Sequence, residues 1–345
     1  QLLGGKGDPP GRLTPFERVQ WCWLASWACS LAGKPAPAIR LAQQGLELAE
    51  EVLARAPLAE KPFYKEWVER LRCYLGSAYC VSDHPGLAWF HHRQCFAAVG
   101  EGHVNDPYLK VVIYKGLGND ALALGWHENA ISFYRVAQKQ AEKLRFLREL
   151  GLIAWGLGVA CQASGDLYRA RSSFQQALQA FAALENLQMV AQARLLLGNI
   201  HVELQEYTEA EQHLRQSRER AESLKDLSAW ATALNNLSAL SLAKLEVRRS
   251  ISLAREGLAL AQQSRNQRAE SGLHLTLAEA YQVARDPEAT EQAFQAAIQI
   301  AKQSQNYDVM SDACEQYSKF LHAQGRFKEA CQQIELTLPL LGRRA

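Results

Sequence analysis

The chain has 345 residues, of which 48% are hydrophobic and 21% charged, and its formal net charge is +2. Acidic and basic residues are interleaved without a Lys/Arg block, so the electrostatic footprint of a nucleic-acid binder is excluded. No uncharged apolar stretch reaches the roughly 18 residues of a membrane-spanning helix, and Ala, Leu, Gln, Glu and Arg, all strong helix formers, dominate the composition.

The eight cysteines include no C-x-x-C pair and are sparse for a disulfide scaffold. Most fall at small-residue positions of helical patterns, where Cys acts as a small hydrophobe. They read as reduced thiols of a cytoplasmic protein.

Residues 1–14 (QLLGGKGDPPGRLT) are rich in Gly and Pro and read as a linker or flexible arm. Residues 15–107 read as degenerate N-terminal helical repeats. The apolar segment Trp21 to Gly33 is too short to span a membrane and lacks the charged start of a signal peptide. Trp23 and Trp27 share a helix face and Trp21 does not, so an exposed tryptophan is expected there beside core ones. Ser26, Cys29, Ala38, Ala42 and Gly45 mark a first helix pair, and Glu50 to Tyr64 reads as a long link. Leu75-Gly76, Tyr79, Ala88 and Cys95 mark a further repeat, followed by an insertion from Gly100 to Pro107.

Residues 108–345 carry six repeats. Leu117-Gly118, Leu157-Gly158, Leu197-Gly198, Leu237-Ser238, Leu277-Ala278 and Tyr317-Ser318 recur at a constant step of 40 residues. Twelve residues after the small residue stands another: Ala130, Ala170, Ala210, Ser250, Thr290 or Ala330. Four further on comes a bulky one in most copies (Tyr134, Phe174, Leu214, Phe294, Ile334), with Ala254 the exception. Small residues let two helices touch, and the bulky one fills the space between repeats. Spacings of three and four keep each set on one helix face. Gly165-Asp166, Gln205-Glu206 and Gly325-Arg326 mark turns within repeats.

This L-G-x-x-Y…A-x-x-x-F…A pattern, seen in Leu157 to Ala177 (LGVACQASGDLYRARSSFQQA) and Leu197 to Ser217 (LGNIHVELQEYTEAEQHLRQS), resembles the tetratricopeptide repeat. The resemblance implies an all-α fold, a right-handed superhelical solenoid of antiparallel helix pairs. The 40-residue period is longer than the usual one. It is similar to the repeats of bacterial peptide-sensing regulators of the Rap and PlcR kind and of Pins-type adaptors. The opening QLLGG resembles the end of a helix-turn-helix domain of the lambda-repressor type.

No G-x-S-x-G, H-E-x-x-H, P-loop or dinucleotide-binding glycine motif occurs. No catalytic residue, metal or cofactor is therefore expected. His91 and His92, with His84 and Cys95 nearby, fall short of the four converging ligands of a structural zinc site and read as ordinary helix positions.

Binding is the better-supported chemistry. In a solenoid of helix pairs the first helix of each pair lines the concave face. Three positions before the small residue stand Lys115, Trp155 and Asn235, and one position after it stand Asn119, Asn199, Glu279 and Lys319. Gln162 and Gln192 extend the same stripe. Asn within a helix has poor propensity, because its amide competes for backbone hydrogen bonds. Offering a donor and an acceptor, it suits the backbone of an extended peptide, and in the resembling families Asn at this position does that work. Lys115 and Asn119 resemble half of a carboxylate clamp, but Gly156, Gln192 and Leu196 stand where its remainder would be. Trp155 is a candidate hot spot for a peptide side chain.

The expected function is a peptide- or protein-binding module in the cytoplasm, the sensor region of a bacterial transcriptional regulator whose DNA-binding domain lies outside this chain. A constitutive adaptor for assembly of a protein complex is the alternative. The expected partner is a peptide or protein segment in the groove, with a homodimer left open and with neither nucleic acid nor membrane bound by this chain.

Overall fold

The computed structural model describes residues 13–32 and 34–336. The QLLGG motif, most of the expected linker and the last residues of the sixth repeat lie outside the described residues. Among the described residues there are sixteen helices and no strands: α1 (Pro15–Leu31), α2 (Pro35–Arg55), α3 (Lys61–Val81), α4 (Pro85–Gly100), α5 (Pro107–Ala123), α6 (His127–Leu144), α7 (Leu147–Ala163), α8 (Leu167–Ala183), α9 (Leu187–Glu203), α10 (Tyr207–Ser223), α11 (Leu227–Ala243), α12 (Val247–Gln263), α13 (Gln267–Val283), α14 (Pro287–Gln303), α15 (Tyr307–Ala323) and α16 (Phe327–Glu335). The chain divides into two compact units, residues 1–173 and 174–345. Within each, successive helices pack as antiparallel pairs.

The forty-residue step has a direct cause. From α7 to α15 every helix has 17 residues, and three residues connect each to the next. The middle connector residue takes the left-handed conformation each time: Gly165, Gln205, Leu245, Arg285 and Gly325 within pairs, and Glu185, Lys225, Arg265 and Gln305 between pairs. Glycine fills few of these positions, although it alone takes a positive φ without a Cβ penalty. Leu245 has φ 61° and is 75% exposed.

Caps set where the odd helices begin. The side chains of Asn186, Asp226 and Asn266 accept from the backbone N–H of Met189, Ala229 and Ala269 at 3.1, 3.0 and 3.0 Å. These caps also recur at forty residues. Thr14 and Glu17 form a full capping box at the start of α1.

Two stretches near the start differ from the sequence reading. The expected link from Glu50 to Tyr64 is mostly helix, because α2 runs to Arg55 and α3 starts at Lys61. Of the three tryptophans in α1, Trp27 is exposed, while Trp23 packs edge-on against Trp67 and Tyr74 and Trp21 packs beside Cys29, Ala38 and Leu41. All eight cysteines are free thiols, six of them buried.

Within each unit the odd helices also touch one another: α1 with α3, α3 with α5 and α5 with α7 in the first unit, and α9 with α11, α11 with α13 and α13 with α15 in the second. One face of each unit is therefore a wall of odd helices. The bulky residue sixteen positions after the small one is the wedge between repeats. Tyr134 from α6 fills a slot between Gly118 of α5 and Gly156 of α7, where an added Cβ would lie 2.7 and 2.5 Å from its ring. The exception at Ala254 is inverted: Gly257 on α12 makes room for Leu273 from α13, at 2.9 Å from a built Cβ.

Candidate binding face

Each expected site residue lies on an odd helix, and most are tied to neighbours. In the first unit Lys115 Nζ lies 2.5 Å from Glu149 Oε2, across from α5 to α7. Glu149 is buried, and Tyr108 Oη donates to its other oxygen at 3.4 Å. The Lys115 charge is thus met inside the protein. Asn119 is exposed, and its Oδ1 accepts from Tyr134 Oη at 2.7 Å. Trp155 and Gln162 are half-buried and engaged with neighbours.

In the second unit a ladder of neutral side chains crosses the odd helices. Asn236 Nδ2 donates to Asn199 Oδ1 at 2.6 Å, joining α11 to α9. Thr276 Oγ1 donates to Asn235 Oδ1 at 2.9 Å, joining α13 to α11. Glu279 of α13 is half-buried. Gln192 is half-buried on α9. Lys319 is exposed and pairs with Glu315 at 2.6 Å.

Asn236, Thr276 and Gln316 share one register, two residues before the small residue, and the sequence reading did not single them out. In the first unit that register is Gly116 and Gly156, emptied for a ring. A shift from glycine to Asn, Thr or Gln at a fixed repeat position is the signal that marks them.

A buried polar pair was also missed. His92, read as an ordinary helix position, is 1% exposed, and Asp120 is 0% exposed. His92 stands sixteen residues after Gly76 and so occupies the wedge register. Cβ atoms built on Gly76 and Gly116 would lie 2.9 and 2.6 Å from its ring. His92 Nδ1 is 2.5 Å from Asp120 Oδ2, and its Nε2 is 3.1 Å from the Cys73 carbonyl. With an acceptor at each ring nitrogen, the doubly protonated ring suits this slot. Burial disfavours the imidazolium, but the hydrogen bonds to Asp120 and Cys73 outweigh it and carry the histidine up to about 10. Among the described residues no group of His, Cys, Asp and Glu is arranged to hold a metal ion, and no helix is long and apolar enough to cross a membrane.

Residues 149–223 match the family model of the tetratricopeptide repeat. These residues carry tetratricopeptide repeats. No curated protein matches it at the level of sequence. Solved structures of similar fold include the apo form of the quorum sensor NprR from B. thuringiensis, with 15% identity and a TM-score of 0.73 over 96% of this chain and 89% of that one. The apo form of RapI has 14% identity and a TM-score of 0.66, covering 80% of this chain and 98% of that one. NprR in complex with its cognate peptide NprX has 14% identity and a TM-score of 0.60, covering 94% and 98%. At these identities the likeness is one of fold: tetratricopeptide helix pairs.

Proposed function

We propose that the chain binds an extended peptide or protein segment against its odd-helix wall. One observation carries this reading. In the second unit Asn199 and Asn235 each commit the side-chain oxygen to a neighbour, while the amide N–H₂ of each has no partner among the described residues. A row of fixed donors suits the carbonyls of an extended backbone, independently of its side chains. The neighbouring residues Leu195, Leu275 and Ala239 are uncharged and not buried, which suits apolar side chains. The fold likeness to NprR bound to its peptide supports the same reading. In its finer form, the chain is the cytoplasmic sensor part of a bacterial transcriptional regulator, and the DNA contact is made elsewhere.

The test is affinity selection from a random heptapeptide pool on the immobilised chain, read by mass spectrometry. A retained subset is expected, with retention falling about tenfold in the Asn199→Ala, Asn235→Ala variant, since each neutral hydrogen bond contributes about 0.5–1.5 kcal/mol. Circular dichroism and thermal unfolding check that the variant is folded. An empty selection, or equal retention by the folded variant, overturns the reading. Small-angle scattering with the retained peptides separates sensor from adaptor: a changed profile supports the sensor, and an unchanged one supports the adaptor.

A further inference from the structure

We propose that Gly272 is a positioning residue of the peptide site: it keeps open a notch in α13 through which a backbone carbonyl of the bound segment reaches the amide N–H₂ of Asn235 on α11. This rests on the peptide-binding reading above and adds to it the point where the two main chains come closest.

Glycine in a helix interior is unfavourable relative to alanine, so each one needs a cause. For Gly76, Gly116, Gly118, Gly156 and Gly198 the cause is packing, since an added Cβ would lie 2.5–2.9 Å from His92, Tyr134 or Leu214. Gly272 differs. It stands inside α13 with a right-handed backbone, so no turn requires it. Beyond its own helix, a Cβ there would meet a single atom, Asn235 Nδ2 at 3.4 Å, which is an ordinary contact distance. Gly86 and Gly100 have open surroundings too, but they stand near the ends of α4 and face no polar atom.

The notch lies on the odd-helix wall. Gly272 falls six residues before Ala278, the register that holds Leu152, Gln192, Thr232 and Asp312 in other repeats. Gly272 and Asn235 are both half-buried, so solvent reaches them. Thr276 fixes the amide: its Oγ1 donates to Asn235 Oδ1 at 2.9 Å and to the Gly272 carbonyl at 3.2 Å. With its oxygen held toward Thr276, Asn235 turns Nδ2 to Gly272, where no side chain covers it. The N–H₂ has no hydrogen-bond partner among the described residues. It needs an acceptor, and the acceptor that every residue of a peptide carries is its carbonyl. The missing Cβ lets a main chain come that close.

The test compares the wild-type full chain with Gly272→Ala, Gly272→Leu, Asn235→Ala and the Gly272→Leu, Asn235→Ala double variant. Leu152 occupies this register in α7, so the helix accepts leucine there. Gly272→Ala is expected to raise the thermal midpoint by about 1–3 °C, since it gains helix propensity without a clash. It is expected at the same time to lower retention of the selected heptapeptides about threefold. Gly272→Leu is expected to lower retention about tenfold, the size of the lost hydrogen bond, and by less than about twofold in the Asn235→Ala background. A thioamide, whose sulfur accepts weakly, is also walked along a retained heptapeptide. At least one bond is expected to weaken retention by the wild type and to be indifferent on Asn235→Ala. Unchanged retention by a folded Gly272→Leu, an equal loss in the Asn235→Ala background, or no thioamide effect that depends on Asn235 overturns the proposal and leaves peptide binding intact. A lowered midpoint in Gly272→Ala overturns it as well, because packing would then explain the glycine. No retention of any heptapeptide by the wild type overturns both.

Discussion

His92 Nδ1 lies 2.5 Å from Asp120 Oδ2 in a slot where both side chains are buried, and this pair joins α4 to α5. In the later repeats the same wedge is an apolar or phenolic side chain (Tyr134, Phe174, Leu214, Phe294). An ion pair here has to recover the cost of leaving water, so removing one partner is worse than removing both. His92→Phe is expected to lose about 3–5 kcal/mol, because Asp120 stays buried without a counter-charge. His92→Phe with Asp120→Leu is expected within about 1 kcal/mol of wild type. Urea unfolding of the three proteins checks this; a single variant as stable as the double would contradict it.

The same pair gives a dependence on pH. The histidine rises from 6.5 to about 10 on folding. A group raised in the folded state contributes stability that is fully present below the unfolded value and is lost as pH rises through the folded one. Stability is therefore expected to fall between about pH 6.5 and 10, and the fall is expected to be shallower in the double variant. Thermal unfolding across that window measures it.

Gly156 is required by Tyr134, since a Cβ there would lie 2.5 Å from the ring. Gly156→Ala is expected to cost about 2 kcal/mol or more through overpacking. Adding Tyr134→Leu is expected to recover part of that loss. Additive losses in a double-mutant cycle would show that the two residues do not meet.

Leu245 holds a left-handed turn with a branched side chain in the open. Leu245→Gly is expected to raise stability by about 0.5–1 kcal/mol, because the strain of a Cβ at positive φ is removed. An unchanged or lowered midpoint would contradict this.

Glu211 on α10 gathers Arg215, Lys244 and Arg249 at 2.6, 3.0 and 2.7 Å, and so ties α10 to α12 and to the turn before it. The hydrogen bond from Arg249 leads the effects that hold its carboxyl at about 2. This contribution is present above the unfolded value near 4.5 and is lost as pH falls toward 2. Glu211→Gln is expected to cost roughly 1 kcal/mol at low salt and less at high salt, as befits a partly exposed network. A loss independent of salt would contradict it.

The repeat was legible because helix and connector lengths are constant from α7 to α15, so the small residues, caps and wedges all return at one step. The first helices were less legible because α2 and α3 have 21 residues each and break that count. His92 was hidden for a related reason. A polar side chain stands in the wedge register, and its partner Asp120 lies beyond a repeat boundary stretched by the insertion. The asparagines were readable from helix propensity. Their partners were not, because Asn236 and Thr276 reach across repeats, 37 and 41 residues from the atoms they bind. Lys115 looked available from its repeat position, and only the packing of α7 brings Glu149 to it.

The central claim, that the odd-helix wall holds an extended segment, is tested most directly by photo-crosslinking. A benzophenone-bearing version of the retained heptapeptides is irradiated with the full chain, and the adducts are located by mass spectrometry. Adducts on α9, α11, α13 and α15, removed by excess unlabelled peptide, are expected. Competable adducts confined to the even helices would contradict the claim.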